Sequence, residues 1–466
     1  MEVTGDVNKA SYAADMDVKS QELPAAVAAA ATATKLQCQR DKFCLDEGVC
    51  YLNCAAYGPL LRSSKEAGAA GIDLKANPQH ITVGHHFEGH ARLRRKICEL
   101  LHMHRGLDEV ELQEQADRIA TFPSVSYGLA IAARNLHRLP GIASKTHIVT
   151  VDEEFPNDTY AFEREAVALG LVVLAVSATA APPAAAEAEE AAAGATAPEP
   201  VPVQVEGLGR AWNDSLLASI CAETALVVVP HVHWMYGVLF DLEAIAFKCR
   251  ECGALLVVDG SQSVGAVPFD FDAVRPDALI VAAYKWMLGP YSIAYGYFGP
   301  FFDGGVPLEE SWMNRTNSQQ FSQLTRHEAA YRPLAQRYNM GEFSEFIHGP
   351  MLESACDFLI SCGGVPAMHE YIRELTEVAV GQLRELGVQF VDDEFRAAHI
   401  MGAILPTGAP TGGAGLDAAQ FATTLKERGV HLSVRGRVLR ISVNVFNDQG
   451  DLGRLIAALQ EAISQA

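Results

Sequence analysis

What the chain lacks narrows it before any motif is read. No uninterrupted apolar run is long enough to cross a bilayer, although hydrophobic residues make up 49% of the sequence. Basic residues are scarce: 36 lysines and arginines stand against 57 aspartates and glutamates, a formal net charge of -21. Such an acidic chain is a poor unaided binder of nucleic acid or of an anionic membrane surface. A locally positive pocket for a small anion is still compatible with it. Residues 1–35 lack the charged-then-apolar layout of a secretory signal and the Arg-rich, acid-poor bias of a transit peptide. Only the Ala-rich run 25–33 leaves organelle targeting open. The ten cysteines have no regular spacing, which argues against a disulfide framework and for reduced thiols in a cytoplasmic protein. Metal-ligand spacing is lacking too. His80, His85, His86 and His90 are dense, but Glu88 stands at the wrong interval for a zincin, and Cys249-x-x-Cys252 has no second pair. No metal is expected.

What is present points to an ordinary globular protein with room for a large and a smaller domain in 466 residues. Residues 1–40 are poor in aromatics and read as a disordered tail. Residues 177–205, mostly Ala, Pro and Glu, read as a surface insertion inside a domain. Short β-branched runs at 147–151, 171–176, 225–229, 255–259 and 278–282 alternate with helical patterns such as 241–252. That alternation predicts an α/β fold with a mostly parallel sheet covered on both faces, its ligands at the carboxyl ends of the strands. From about residue 319 the helices lengthen. A strand pair near 430–433 and 438–443 and a last helix, 451–464, predict a smaller α+β domain. The expected boundaries are therefore 41–318 for the large domain and 319–466 for the small one. The segment after the tail can pack on the small domain.

The densest chemistry lies in LLVVDGSQSVGAVPFDFDAVRPDALIVAAYKWMLG, residues 255–289. One buried strand ends in Asp259 and a second ends just before Tyr284-Lys285. An acid and a lysine at two strand ends form a site only if both side chains face it. A helix-capping aspartate and an exposed lysine fit the same letters.

DGSQSVGAVPFD followed by AAYKWMLGP resembles the cofactor segment of the class V aminotransferase family. That family includes cysteine desulfurases, isopenicillin N epimerase-like proteins and kynureninase-like lyases. The resemblance runs from about Phe43 to the C-terminus, interrupted by the 177–205 insertion. It implies the fold type I architecture of pyridoxal 5'-phosphate (PLP) enzymes, with a mostly parallel seven-stranded sheet and a smaller α+β C-terminal domain. It further implies that Lys285 is the Schiff-base lysine and that Asp259 partners the pyridine nitrogen. The chemistry suits them: the amine captures the cofactor aldehyde, and the carboxylate keeps the ring nitrogen protonated. Gln262 resembles the side chain that contacts the ring hydroxyl or imine region.

Other positions follow the same resemblance. Ser124 and Ser126 precede an apolar helix, 129–136, where small hydroxyl residues cap the helix or cradle a phosphate. The segment resembles the family's phosphate-binding turn. Tyr284 resembles a phosphate-contacting tyrosine of kynureninase-like members. Phe155 matches an aromatic that stacks on the cofactor ring, although plain core packing accounts for it too; Asp158 is a lesser candidate. His233, followed by Trp234, stands where the family often has Asn, as a cofactor contact or a structural histidine. Arg440 alternates with apolar neighbours on a strand and resembles the family's substrate-carboxylate clamp. Arg337–Glu342 and Trp312 resemble segments that reach a neighbouring subunit, which implies a homodimer. Cys54 lies in a loop that matches the family's substrate entrance, or packs there. Arg92 to Lys96 read as a solvated helix face pairing with nearby acids.

For the reaction, the resemblance implies an aminotransferase that moves an amino group from an amino acid to a 2-oxo acid. A C–S or C–C lyase or an amino-acid epimerase is the alternative. A desulfurase needs a nucleophilic cysteine shortly before the Arg440 strand, and no cysteine follows Cys362. Kynureninase proper is disfavoured by His233-Trp234.

Overall fold

Runs such as Leu-Leu-Val-Val and Ala-Leu-Ile-Val favour extended backbone and need apolar cover on both faces. They become central strands of a seven-stranded sheet in the computed structural model, which describes residues 35–103, 105–178, 205–406 and 417–465. In chain order the strands are β1 Cys50–Tyr51, β2 Ile119–Phe122, β3 His147–Val151, β4 Val172–Val176, β5 Thr224–Pro230, β6 Leu255–Asp259, β7 Ala278–Ala282, β8 Ala294–Phe298, β9 Ile400–Ala403, β10 Val430–His431, β11 Ser433–Arg435 and β12 Val438–Ser442. The large sheet has the order β2-β8-β7-β6-β5-β3-β4. Its pairs are parallel except the two made by β8. The expected mostly parallel seven-stranded α/β sheet is therefore what the chain forms. The tail expected at 1–40 and the insertion expected at 177–205 lie almost wholly outside the described residues.

Successive residues on each central strand point to opposite faces. Leu256, Val258, Leu279 and Val281 enter one apolar core, and Leu255, Val257, Ala278 and Ile280 enter another across the sheet. Burying each such side chain contributes about 1.5–3 kcal/mol, which fixes the register of the strand ends that carry the site. The helices between the strands are bounded by local chemistry. Leu242–Cys252 starts at Asp241, whose carboxylate accepts from the Ala244 amide at 3.0 Å, and stops at Gly253 in the left-handed region, φ +61°.

The C-terminal pairing differs from the expected hairpin. β11 pairs with β12 and β12 with β9, all antiparallel. Residues Val430–His431 form a separate strand that pairs in parallel with β1. Two partners therefore divide the run 430–433, which read as one strand. The run Arg92–Lys96 also departs from expectation. Arg92 and Lys96 pair with Glu353 and Arg95 with Glu109, but Arg94 is turned inward and only 3% exposed. No helix among the described residues is long and apolar enough to cross a membrane.

Candidate active site

β6 and β7 are parallel neighbours, so the chain leaves both at the same edge of the sheet. Asp259 closes β6, and Lys285 lies in the turn three residues beyond Ala282, the last residue of β7. The turn between them is pinned. The Ser261 amide donates to Asp259 Oδ1 at 2.7 Å, and Ser261 Oγ accepts from the Ala282 amide at 3.0 Å. A loop from the N-terminal segment closes on the lysine: the Gly58 amide donates to the Tyr284 carbonyl at 2.8 Å. A Cβ on Gly58 would stand 2.1 Å from the Lys285 carbonyl oxygen, so only glycine allows this approach.

These elements enclose a cavity of about 230 Å³ lined by Ser124, Ser126, Phe155, Asp259, Lys285 and Tyr291, among others. Three non-glycine residues beside it, Glu153, Leu288 and Ser292, hold left-handed backbone at φ 51°, 55° and 65°. Strained backbone of this kind persists where surrounding structure imposes it, and it gathers at functional sites.

Burial dominates the electrostatics. It pulls the Lys285 ammonium down to about 8, against the opposing pull of Asp259; the Arg440 charge lowers it further. Burial pushes Glu154 up to about 8, and the Asp259 charge adds to this. Asp158 is raised well above the usual carboxyl range, first by burial and then by the charges of Asp259 and Glu154. The Asp158 carboxyl lies against that of Asp259, and Glu154 Oε2 is buried with no hydrogen-bond partner among the described residues. Three carboxyl groups thus converge on one amine.

Most of the residues singled out from the sequence meet here. Ser124 caps the helix Val125–Arg134, its Oγ accepting from the Tyr127 amide at 3.3 Å and lying 3.3 Å from Ser126 Oγ. The free N–H groups of that first turn line the cavity, a local positive end suited to an anion. Phe155 is exposed on the cavity side, its ring edge-on to Trp234 at 5.6 Å. Tyr284 packs against Tyr291, ring centres 4.7 Å apart, and burial pushes its hydroxyl up to about 12. Arg440 is 2% exposed on β12; its Nε donates to Ser433 Oγ at 3.2 Å and its Nη1 to the Trp234 carbonyl at 3.0 Å. No acid pairs with this guanidinium among the described residues, and burial pulls it down to about 9.

Two expected cofactor contacts point elsewhere. His233 Nε2 bonds the Glu153 carbonyl at 3.1 Å, and its Nδ1 accepts from the Met235 and Tyr236 amides at 3.4 Å. Both ring nitrogens are occupied, and burial pulls the imidazole down to about 3. The structure thus makes it a neutral brace rather than a cofactor contact. Gln262 donates to the Ala55 carbonyl at 3.2 Å and accepts from Trp286 Nε1 at 2.9 Å, so its amide is held beneath the turn. Cys54 is a buried thiol pushed up to about 12, accepting from Asn444 Nδ2 at 3.4 Å. That is packing, not a nucleophile. Glu154 was not singled out from the sequence. Its signal was available: Glu154 and Asp158 follow the carboxyl end of β3, the edge where ligands bind.

Pyridoxal phosphate requires an amine for its aldehyde, an anion beside its ring nitrogen, a flat face for its ring and donors for its phosphate. The cavity has Lys285, Asp259, Phe155 and the helix N-terminus at Ser124. The group fits.

A family model described as aminotransferase class-V matches residues 171–455. An uncharacterized aminotransferase, YcbU, of Bacillus subtilis is 27% identical over 238 residues, 51% of this chain and 59% of that protein. Kynureninase of Pseudomonas fluorescens is 34% identical over 117 residues, 25% of this chain and 28% of that protein. Thus the chain spans well under two thirds of the length of either relative. Isopenicillin N epimerase of Amycolatopsis lactamdurans is 23% identical over 436 residues, 91% of this chain and 97% of that protein. Among solved structures, a cysteine desulfurase from Thermococcus onnurineus aligns with a TM-score of 0.69 at 16% identity, covering 93% of this chain and 100% of that one. A C-DES mutant with glycine covalently linked to its PLP cofactor aligns at 0.68 with 19% identity, covering 90% and 98%. At such identities these two show the fold alone. With the family model matched over more than half its length, and a cavity that suits pyridoxal 5'-phosphate, the chain belongs to the class-V aminotransferase family of PLP enzymes.

Proposed function

We propose that the protein is an aminotransferase that takes the amino group of an amino acid and passes it to a 2-oxo acid, with Lys285 as cofactor lysine and base. The observation that carries this is the Lys285 amine, brought down to about 8 by burial, beside Asp259 at the carboxyl edge of the sheet. Bound PLP supplies an aldehyde that captures an amine and a pyridinium ring that takes up the electron pair left at Cα.

The chain's own residues do the rest. Lys285 is neutral often enough near pH 7 to act as nucleophile and then as base at Cα. Asp259 partners the ring nitrogen, with the Asp158 carboxyl, whose proton affinity burial raises, beside it. Ser124, Ser126 and the amides of the first helical turn hold the phosphate, with Tyr284 at its side. Phe155 covers the ring. Arg440, a buried cation without an acid partner among the described residues, receives the substrate carboxylate through charge-assisted hydrogen bonds. Each position is supported by where the side chain stands around the cavity or at its border.

The wider organisation is proposed on the same footing. Residues 41–318 are read as the cofactor domain and 319–466 as the smaller one, supported by the three-stranded sheet built after residue 399. The β1–β10 pair supports packing of the N-terminal segment on the small domain. A cytoplasmic homodimer, with Trp312 and Arg337 toward the partner, rests on the family resemblance.

The test is to add single L-amino acids to the holoenzyme without an acceptor and follow its visible absorption band. Stoichiometric loss of the band, reversed by a 2-oxo acid, is the aminotransferase outcome. Persistence of the band while product accumulates removes that reading. A lyase or epimerase is the second reading, favoured by the match to isopenicillin N epimerase over 91% of this chain.

A further inference from the structure

Arg94 was expected to lie on a solvated helix face, and it does not. On the helix Val83–Leu100 it is 3% exposed, with its Nη2 3.4 Å from Asp117 Oδ1. Among the described residues Arg94 Nε is buried and has no hydrogen-bond partner. A second guanidinium lies beside it. Arg332 stands with its Cζ 5.2 Å from the centre of the Phe87 ring, and its Nη1 is likewise buried and without a partner among the described residues. No acid pairs with Arg332 among the described residues. Burial, then the Arg94 charge, pulls it down to about 10.

Both arginines line one cavity of about 220 Å³, together with Phe87, Ala91, Asp117 and Gln336. Asp117 sits next to the start of β2, whose far end leads into Ser124, and this cavity shares no lining residue with the active-site pocket. Two cations share one carboxylate, and that carboxylate also accepts from Gln113 Nε2 at 2.9 Å. Glu88 also lines the cavity and is exposed. A half-desolvated guanidinium that shares its one buried carboxylate, Asp117, with Arg94 and Gln113 calls for an anion.

We propose that this cavity is a binding site for a small organic monocarboxylate, separate from the active site. Charge sets the valence: of the charged groups lining the cavity, Glu88 is exposed to water, and the two arginines and one aspartate that remain leave a single positive charge to balance. Shape sets the class. The guanidinium groups present donors to a two-oxygen acceptor, and Phe87 and Ala91 receive a short apolar tail. The site does not depend on which reaction the enzyme performs.

The experiment uses the Arg440→Gln holoenzyme, so that the carboxylate site of the active centre is silent, with 3,3,3-trifluoropropionate as the probe in fluorine NMR. One saturable equivalent is expected. Adding Arg332→Met should raise the dissociation constant at least tenfold, and neutral 3,3,3-trifluoropropanamide should not compete. No saturable binding to the Arg440→Gln protein, or equal affinity with and without Arg332, overturns the proposal. Inorganic phosphate displacing the probe as well as propionate does overturns the monocarboxylate class. Should the Arg332→Met protein fail to fold, the Arg440→Gln holoenzyme decides alone: its melting temperature must rise with propionate at constant ionic strength. A rise no greater than with chloride overturns the site.

Discussion

Lys285 Nζ stands 5.7 Å from the centre of the Phe155 ring, and that ring is 38% exposed although it lines the cavity. An open aromatic face beside an amine is a platform for a flat ring carried on that amine. Stacking of this kind is worth about 0.5–1.5 kcal/mol beyond area burial. Phe155→Leu is therefore predicted to leave the fold intact and weaken cofactor binding by up to about tenfold, read by titrating the apoenzyme with PLP. Unchanged affinity would make Phe155 a packing residue only.

The lowered proton affinity of Lys285 has a sign that can be checked. An amine attacks only when neutral, so capture of the cofactor aldehyde rises as pH climbs through the lysine pKa. With burial bringing that value to about 8, roughly one amine in ten is neutral at pH 7, against a few in ten thousand for an ordinary lysine. The capture rate of the apoenzyme is predicted to reach half its plateau near pH 8. A midpoint above 10 contradicts the burial argument.

The three carboxyl groups are predicted to respond unequally to amide substitution. Burial raises the proton affinity of Asp158 and Glu154, and the Asp259 charge adds to it. Asp158→Asn and Glu154→Gln mimic the neutral form that burial favours, and PLP affinity should change by no more than about threefold. Asp259→Asn removes the one required anion, with an expected activity loss of at least about a hundredfold. Equal losses from Asp158→Asn and Asp259→Asn would show that the charge is shared between them.

Arg440 separates binding from chemistry. Its guanidinium is buried, lacks an acid partner among the described residues and is held by Ser433 and the Trp234 carbonyl. Losing charge-assisted hydrogen bonds worth about 1.5–3 kcal/mol predicts that Arg440→Met raises KM for amino acids roughly ten- to a hundredfold, with kcat changed far less. A fall in kcat at unchanged KM would place Arg440 outside the substrate site.

Much of this was legible in the chain. The runs at 147–151, 255–259 and 278–282 are strands with the expected bounds, because buried parallel strands are written in branched aliphatics. β8, Ala-Tyr-Gly-Tyr-Phe, escaped notice since its aromatics and glycine break that pattern, and β2 is only four residues long. At the site, Asp259 and Lys285 could be placed because each directly follows such a run. Glu154 and Asp158 were harder to weigh. Their character comes from burial beside Asp259, a contact made by chain a hundred residues away. His233 and Gln262 looked available by position, yet backbone carbonyls and Trp286 take up their polar atoms. Arg94 looked solvated for the same reason: neighbouring charges in sequence do not report which way a helix turns.

The most direct test of the account is to reduce the holoenzyme with borohydride, digest it and locate the cofactor by mass spectrometry. The account predicts one phosphopyridoxyl group per chain, on Lys285, and none on the Lys285→Ala protein. Cofactor trapped on a different lysine, or still trapped in the absence of Lys285, would contradict it.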